Sequence, residues 1–232
     1  MNVGDRCPDP VEGLLGTVAW TLDLPGAGTV THYALEGSIF VTGAAVQWLR
    51  DGLGIIQQAG DLEGLALQCD DTDGVVVVPG VTGLGSTWWD PHARGTIVGI
   101  TRGTGRPHIA RAVIEAMVFQ TRDVVDAMCQ ASGREVVALR ADGGASAMDL
   151  MLQMQADQLG VPVARPTNQE TTALGAAYLA GLAEGMWSLD EIEALWQLDL
   201  ELKPSADRSR VDAAHARWLD AVDRSRRWAT DD

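Results

Sequence analysis

Two glycine-bearing stretches have the residue types and spacing for chemistry. In "LRADGGASAM" (residues 139–148), Gly143 and Gly144 stand between an apolar run and the helix-like "MDLMLQMQADQLG". Backbone amides at a strand-to-helix turn, aided by the helix dipole, favour a polar or anionic ligand. Glycines let that ligand approach with no Cβ in the way. On the residues alone, a plain tight turn with Ser146 as helix N-cap accounts for them better. The second stretch is "GVTGLGSTWWDPHARG" (residues 80–95), a long irregular loop of a kind that is usually functional or interfacial in compact domains.

Other candidate groups do not assemble into a site. His92 lies in the glycine-rich loop and His108 at a helix start, and neither has metal-ligand spacing. Cys7, Cys69 and Cys129 are far apart with no CxxC, and read as reduced thiols. Acidic residues are plentiful, yet no pair stands out as a catalytic dyad. Met148, Met151 and Met154 read as core filling. Arg224, Arg226 and Arg227, near the end of the last helix, complement its dipole.

The 232 residues carry a net charge of −15, which argues against a nucleic-acid surface. A nucleotide is still compatible with that charge, because backbone amides and Mg²⁺ handle its phosphates. Hydrophobic residues make up 46%, enough for a sizeable core, with no apolar run of membrane-spanning length. The polar start "MNVGDRCPDPVEG" has no signal-peptide pattern, so the expected compartment is the cytoplasm.

The elements that must position the glycines follow from periodicity. "LLGTVAWTLD" and "TVTHYALEG" read as paired strands around a "PGAG" turn, and "TGAAVQWLRDGLGII" as a helix burying Ala45 and Leu49. Residues 57–67 read as helical, and "GVVVVPG" and "TIVGITRG" as strands. A helix over 107–130 carries Ile109, Val113, Met117, Gln120, Val124 and Met128 on one stripe. "EVVALRADGG" and "VPVARP" read as strands flanking a helix stopped by Gly160. "ETTALGAAYLAGLAEG" reads as a helix whose small residues allow close packing on a sheet. Helices at 189–198 and 211–228 complete the chain. The pattern predicts one α/β domain with a mostly buried sheet and a helical tail.

Several of these segments, in order, resemble the C-terminal domain of the FGGY family of carbohydrate kinases, on its glycerol kinase branch. They are "YALEGSIFVTGAAVQWLRDGL" (33–53), "VVVVPGVTGLGSTWWDPHARGTIVGITRGT" (75–104), "GTIVGITRGTGRPHIARAVIEA" (95–116), residues 139–166 and "ETTALGAAYLAGLAEGMW" (170–187). "ALEGS" and "TALGAAYLAGLA" favour that branch over xylulose and gluconate kinases. The tail shares only its Pro204 and Trp218 framing.

The resemblance implies an actin-like, ribonuclease H-like ATPase fold. It implies a nucleotide-binding domain over residues 1–200, with 201–232 as its helical C-terminal tail. Gly43 and Gln47 of "GAAVQ", Gly143 and Gly144 of "DGG", and Met148 are the implied ATP/ADP contacts. Met148 stands where the family usually has Asn near adenine. The implied reaction is in-line transfer of the γ-phosphoryl from ATP, with Mg²⁺, to glycerol, giving glycerol 3-phosphate. The catalytic Asp, the glycerol site and the Mg²⁺ ligands belong to an N-terminal half outside this chain, so no catalytic or metal residue is assigned here. Two other readings are a non-catalytic nucleotide-binding or interaction domain left from a degenerate kinase, and half of another FGGY sugar kinase. A face normally covered by the other half, including Trp88 and Trp89, is expected to be exposed and to drive homo-oligomer formation.

Overall fold

A computed structural model describes residues 1–24 and 26–230. The chain divides into two compact units, residues 1–136 with 212–232, and residues 137–211.

The first unit opens with a three-stranded antiparallel sheet in the order β1 (Asn2–Gly4), β3 (Gly28–Glu36), β2 (Leu15–Leu24). The expected hairpin is present, and Thr21 faces Thr31 with their hydroxyls 3.0 Å apart. Trp20 stacks on His32 with ring centroids 4.3 Å apart. Gly26 has positive φ in the connecting turn, as glycine allows; Pro25 of the "PGAG" stretch lies outside the described residues. The helix read from "TGAAVQWLRDG" is α1 (Gly43–Gln47), followed by a π-helical turn at residues 48–52, and it buries Ala45 and Leu49 as expected.

Helix α2 (Asp61–Ala66) is shorter than the sequence reading of 57–67. The reason is Asp61, whose carboxylate accepts the N–H groups of Gln57 (3.1 Å) and Gln58 (2.9 Å) and so folds that segment into a turn. Strands β4 (Val76–Val78) and β5 (Thr96–Val98) pair antiparallel. Gly74, two residues before β4, and Gly99, directly after β5, both take positive φ. A Cβ on Gly99 would also overlap the Gly74 carbonyl.

Helix α3 (Arg106–Ser132) is the axis of this unit. The Nδ1 of His108 accepts the Gly105 N–H at 3.0 Å, capping the helix start, and Gly133 ends it with φ 64°. The buried surface is wider than the single predicted stripe: Ala110, Ala112, Ile114, Ala116 and Val118 are buried as well, whereas Ile109 is half-buried. One flank packs Val124 and Met128 against Leu35 of β3 and Leu14, just before β2. The other packs Ala116 and Phe119 against Val78, Leu84, Ala93, Trp218, Ala221 and Val222.

In the second unit, β6 (Leu139–Arg140) lies parallel to β7 (Val163–Pro166), and β7 lies antiparallel to β8 (Leu198–Leu202). Residues 135–138, read as strand, are not; Val137 is exposed. β8 replaces the end of the helix predicted over 189–198, because α6 (Leu189–Ala194) stops early. Ser188 and Glu191 cap α6 reciprocally, Ser188 N–H to Glu191 Oε2 at 2.8 Å and Glu191 N–H to Ser188 Oγ at 3.3 Å. Helix α4 (Asp149–Leu159) buries Leu152 and Ala156 against Val163, with Met151 partly buried at the same cluster, and Gly160 ends it at φ 71°. Asp157 ties α4 to the chain beyond β8, accepting from the N–H groups of Ser205 (2.6 Å) and Ala206 (3.1 Å).

Helix α5 (Thr171–Ala183) departs from expectation. Ala173, Ala176, Ala177 and Ala180 are exposed rather than packed on a sheet. Gly181 is the buried residue of this helix, packed so closely under Trp187 that a Cβ there would overlap the ring. Helix α7 (Arg208–Ser225) follows β8 and carries Trp218. The whole forms several small sheets rather than the one buried sheet read from the sequence. No helix among the described residues is long and apolar enough to cross a membrane.

Candidate functional site

The glycine turn of the second unit runs from β6 through Asp142 and Gly143 into a 3₁₀ turn (Gly144–Ala147), then Met148, then α4. Gly143 adopts φ 78°, a conformation that side chains resist, so its identity follows from the backbone alone. Gly144 is different. Its φ is not positive, and a Cβ there would meet nothing within 4 Å. A tight turn therefore explains Gly143 and leaves Gly144 without a packing or conformational reason. What remains is open backbone at the start of a helix.

Ser146 is not the N-cap that the turn reading requires. It is buried, its hydroxyl donating to the Gly143 carbonyl at 2.7 Å, while Met148 takes the cap position with no side-chain bond. The Gly143 N–H donates to the Gln169 carbonyl at 2.9 Å, and Thr171 bonds Asp142. Arg165 of β7 closes the base of the turn. Its Nη1 donates to the Ser146 carbonyl (2.8 Å) and to Asp149 (2.8 Å), and its Nε donates to Asp199 of β8 (2.7 Å). Burial alone would lower the Arg165 pKa, but the hydrogen bonds and charges of Asp199 and Asp149 raise it above the usual arginine range.

Met148 is half-buried and presents a thioether, which packs but does not discriminate hydrogen-bond donors from acceptors on a ring. The turn thus brings Gly143, Gly144 and Met148 together. Gly43 and Gln47 stand on α1 in the first unit, both exposed. Gly43 matches Gly144 in having no positive φ and open space where a Cβ would go.

The glycine-rich loop of the first unit is held by packing. A Cβ on Gly85 would overlap the Ser38 carbonyl, and one on Gly83 would lie 2.8 Å from the Asp90 carbonyl. Asp90 accepts N–H groups from His92 (2.8 Å), Ala93 (3.0 Å) and Arg227 (2.9 Å). Burial pushes its carboxyl upward, yet these donors and Arg226 outweigh it and hold Asp90 below the usual carboxylate range. Trp88, expected to be exposed, packs against the Val78 cluster with the Arg226 guanidinium 5.1 Å over its ring. Trp89 is exposed as expected and meets Phe40 edge-on at 5.8 Å.

Sequence reasoning missed Asp123. It is buried in α3, accepting from the indole N–H of Trp218 at 2.8 Å and sharing a 2.6 Å hydrogen bond with His215 Nε2. A pocket of about 230 Å³ lies between α5 and α6, lined by residues including Asn168, Leu174, Tyr178 and Trp196; the predicted site residues do not line it. No group of three or more His, Cys, Asp or Glu among the described residues is placed to hold a metal ion.

Residues 2–184 match the family model described as FGGY family of carbohydrate kinases, C-terminal domain. The chain is 52% identical over 229 residues to glycerol kinase 2 of Thermotoga maritima, covering 98% of this chain and 45% of that protein. It is likewise 52% identical over 230 residues to the glycerol kinase of Caldanaerobacter subterraneus, covering 99% and 45%. The chain therefore spans about half the length of the curated relatives it matches. Among solved structures, Plasmodium falciparum glycerol kinase with ADP superposes with a TM-score of 0.87 at 31% identity, over 97% of this chain and 44% of that one. A xylulose kinase of Lactobacillus acidophilus gives 0.67 at 25% identity, over 96% and 46%. The architecture is that of the actin-like ATPase fold family, as the motifs implied. The chain belongs to the FGGY family of carbohydrate kinases, and what it carries is that family's C-terminal domain.

Proposed function

We propose that this chain is the nucleotide-binding half of a glycerol kinase, which transfers the γ-phosphoryl of ATP to glycerol to give glycerol 3-phosphate. The observation that carries the reading is the 52% identity to glycerol kinases along nearly the whole chain. Gly143, Gly144 and Met148 are the proposed contacts in the second unit. Gly43 and Gln47 are nucleotide contacts by the family motif.

The chemistry of the turn favours the nucleoside end of the ligand over its phosphates. Asp142 and Asp149 flank it, and only Asp149 is paired with a cation. Carboxylates repel a polyphosphate, whereas bare backbone at Gly144 and the thioether of Met148 suit a flat, uncharged ring system. The role of this half is to hold ATP in one orientation, so that phosphoryl transfer reduces to positioning and charge neutralisation. Mg²⁺, when bound, neutralises the phosphate oxygens. The base that takes the glycerol hydroxyl proton is not assigned to a residue of this chain.

The test is a graft. The chain replaces the matching C-terminal part of the Thermotoga maritima kinase, and product is read by mass spectrometry. The expected result is ATP-dependent glycerol 3-phosphate formation, with the glycerol site supplied by the Thermotoga maritima half and the nucleotide held by this chain. A folded graft that phosphorylates neither glycerol nor another sugar overturns the reading.

A further inference from the structure

We infer that Arg165 is the positioning residue of the glycine turn, anchoring residues 143–148 in the one backbone conformation that receives the nucleotide. The inference rests on the nucleotide reading above.

The turn's other bonds centre on Gly143 and leave its junction with α4 to Arg165. Adjacent glycines lose more backbone freedom on ordering than any other pair of residues. Helix α4 begins without a side-chain cap; Gly143 is held by Ser146 N–H (3.0 Å) and Oγ (2.7 Å) at its carbonyl and by Gln169 O at its N–H (2.9 Å), and Met148 N–H donates to Ala145 O at 3.2 Å. Arg165 restrains the junction with α4 from β7, the middle strand of its sheet. One Nη1 grips the last part of the turn at the Ser146 carbonyl and the first residue of α4 at Asp149. The Nε bond to Asp199 fixes the plane of the guanidinium from the neighbouring strand. The Arg165 side chain is only 12% exposed, so water competes weakly for these bonds.

Pairing with Arg165 also compensates the Asp149 charge beside the open backbone. Lysine reproduces little of this, because a single ammonium on a flexible stem cannot hold three acceptors in one plane. The geometry thus assigns Arg165 an effect on the ligand through Gly144, with no contact of its own to the nucleotide.

The experiment uses the 232-residue chain with Arg165→Lys and Arg165→Met, measuring Mg·ADP affinity by calorimetry and amide exchange by mass spectrometry. Both variants are expected to weaken ADP by ~10- to 100-fold, Lys less than Met. Exchange should accelerate about tenfold at residues 143–148, with little change at residues 152–158. If Arg165→Met fails to fold, Arg165→Lys decides alone. Unchanged ADP affinity in a folded variant overturns the inference. So does an exchange increase spread evenly over residues 137–211, which marks a merely structural role. If the unsubstituted chain does not bind Mg·ADP at all, the nucleotide reading falls, and this inference with it.

Discussion

Trp218→Ala should be the most destabilising single truncation in the first unit, lowering its unfolding free energy by about 3–5 kcal/mol. Trp218 is fully buried on α7 and stacks on Phe119 of α3 with centroids 5.6 Å apart, inside the cluster that joins α7 to β4 and the glycine-rich loop. Two losses combine. The indole leaves a cavity that Val78, Ala93 and Ala116 are too small and too constrained to fill. Its N–H also leaves the buried Asp123 carboxylate with one donor fewer. Trp218→Phe separates them: much of the volume stays, and the lost hydrogen bond costs about 1–3 kcal/mol. Thermal unfolding followed by circular dichroism reads both variants, and Trp218→Ala should lower the melting temperature by about 10 °C. A melting temperature equal to that of the unsubstituted chain contradicts the packing of α7 described here.

The second large effect is on binding alone. Gly144→Val should weaken Mg·ADP by about 100-fold, close to 2.7 kcal/mol, while leaving the melting temperature within about 1 °C. The combination is unusual and follows from the geometry. A valine at 144 meets no protein atom within 4 Å of its Cβ and needs no left-handed backbone, so the fold has no reason to resist it. Its methyl groups fill the space into which the ligand is proposed to come. Gly143→Val is the contrast, because φ 78° strains any β-branched residue and stability falls as well. Calorimetry on the two variants, with melting curves alongside, separates a glycine kept for backbone from one kept for a ligand.

The sequence made some of this legible. Long local patterns were clear: α3, α4 with its Gly160 stop, and the β2–β3 hairpin all follow from periodicity and turn residues. β8 carried a readable signal, since Leu198, Leu200 and Leu202 alternate with Asp199 and Glu201, but the helical pattern just before it masked the change of period. Asp123 was not legible, because a carboxylate on a helix reads as solvent-facing and its partners His215 and Trp218 lie 92 and 95 positions later. Arg165 was hidden for the same reason, its acceptors being Ser146, Asp149 and Asp199. For the turn itself, the residues alone leaned to a plain structural role. The coordinates divide that answer, explaining Gly143 by its φ and leaving Gly144 open.

Amide exchange of the unsubstituted chain, with and without saturating Mg·ADP, reads whether the nucleotide comes to the glycine turn. Slowed exchange is expected in residues 143–148, the segment that carries Gly144 and Met148. Protection absent everywhere, or confined to segments that exclude this turn, contradicts that placement of the nucleotide.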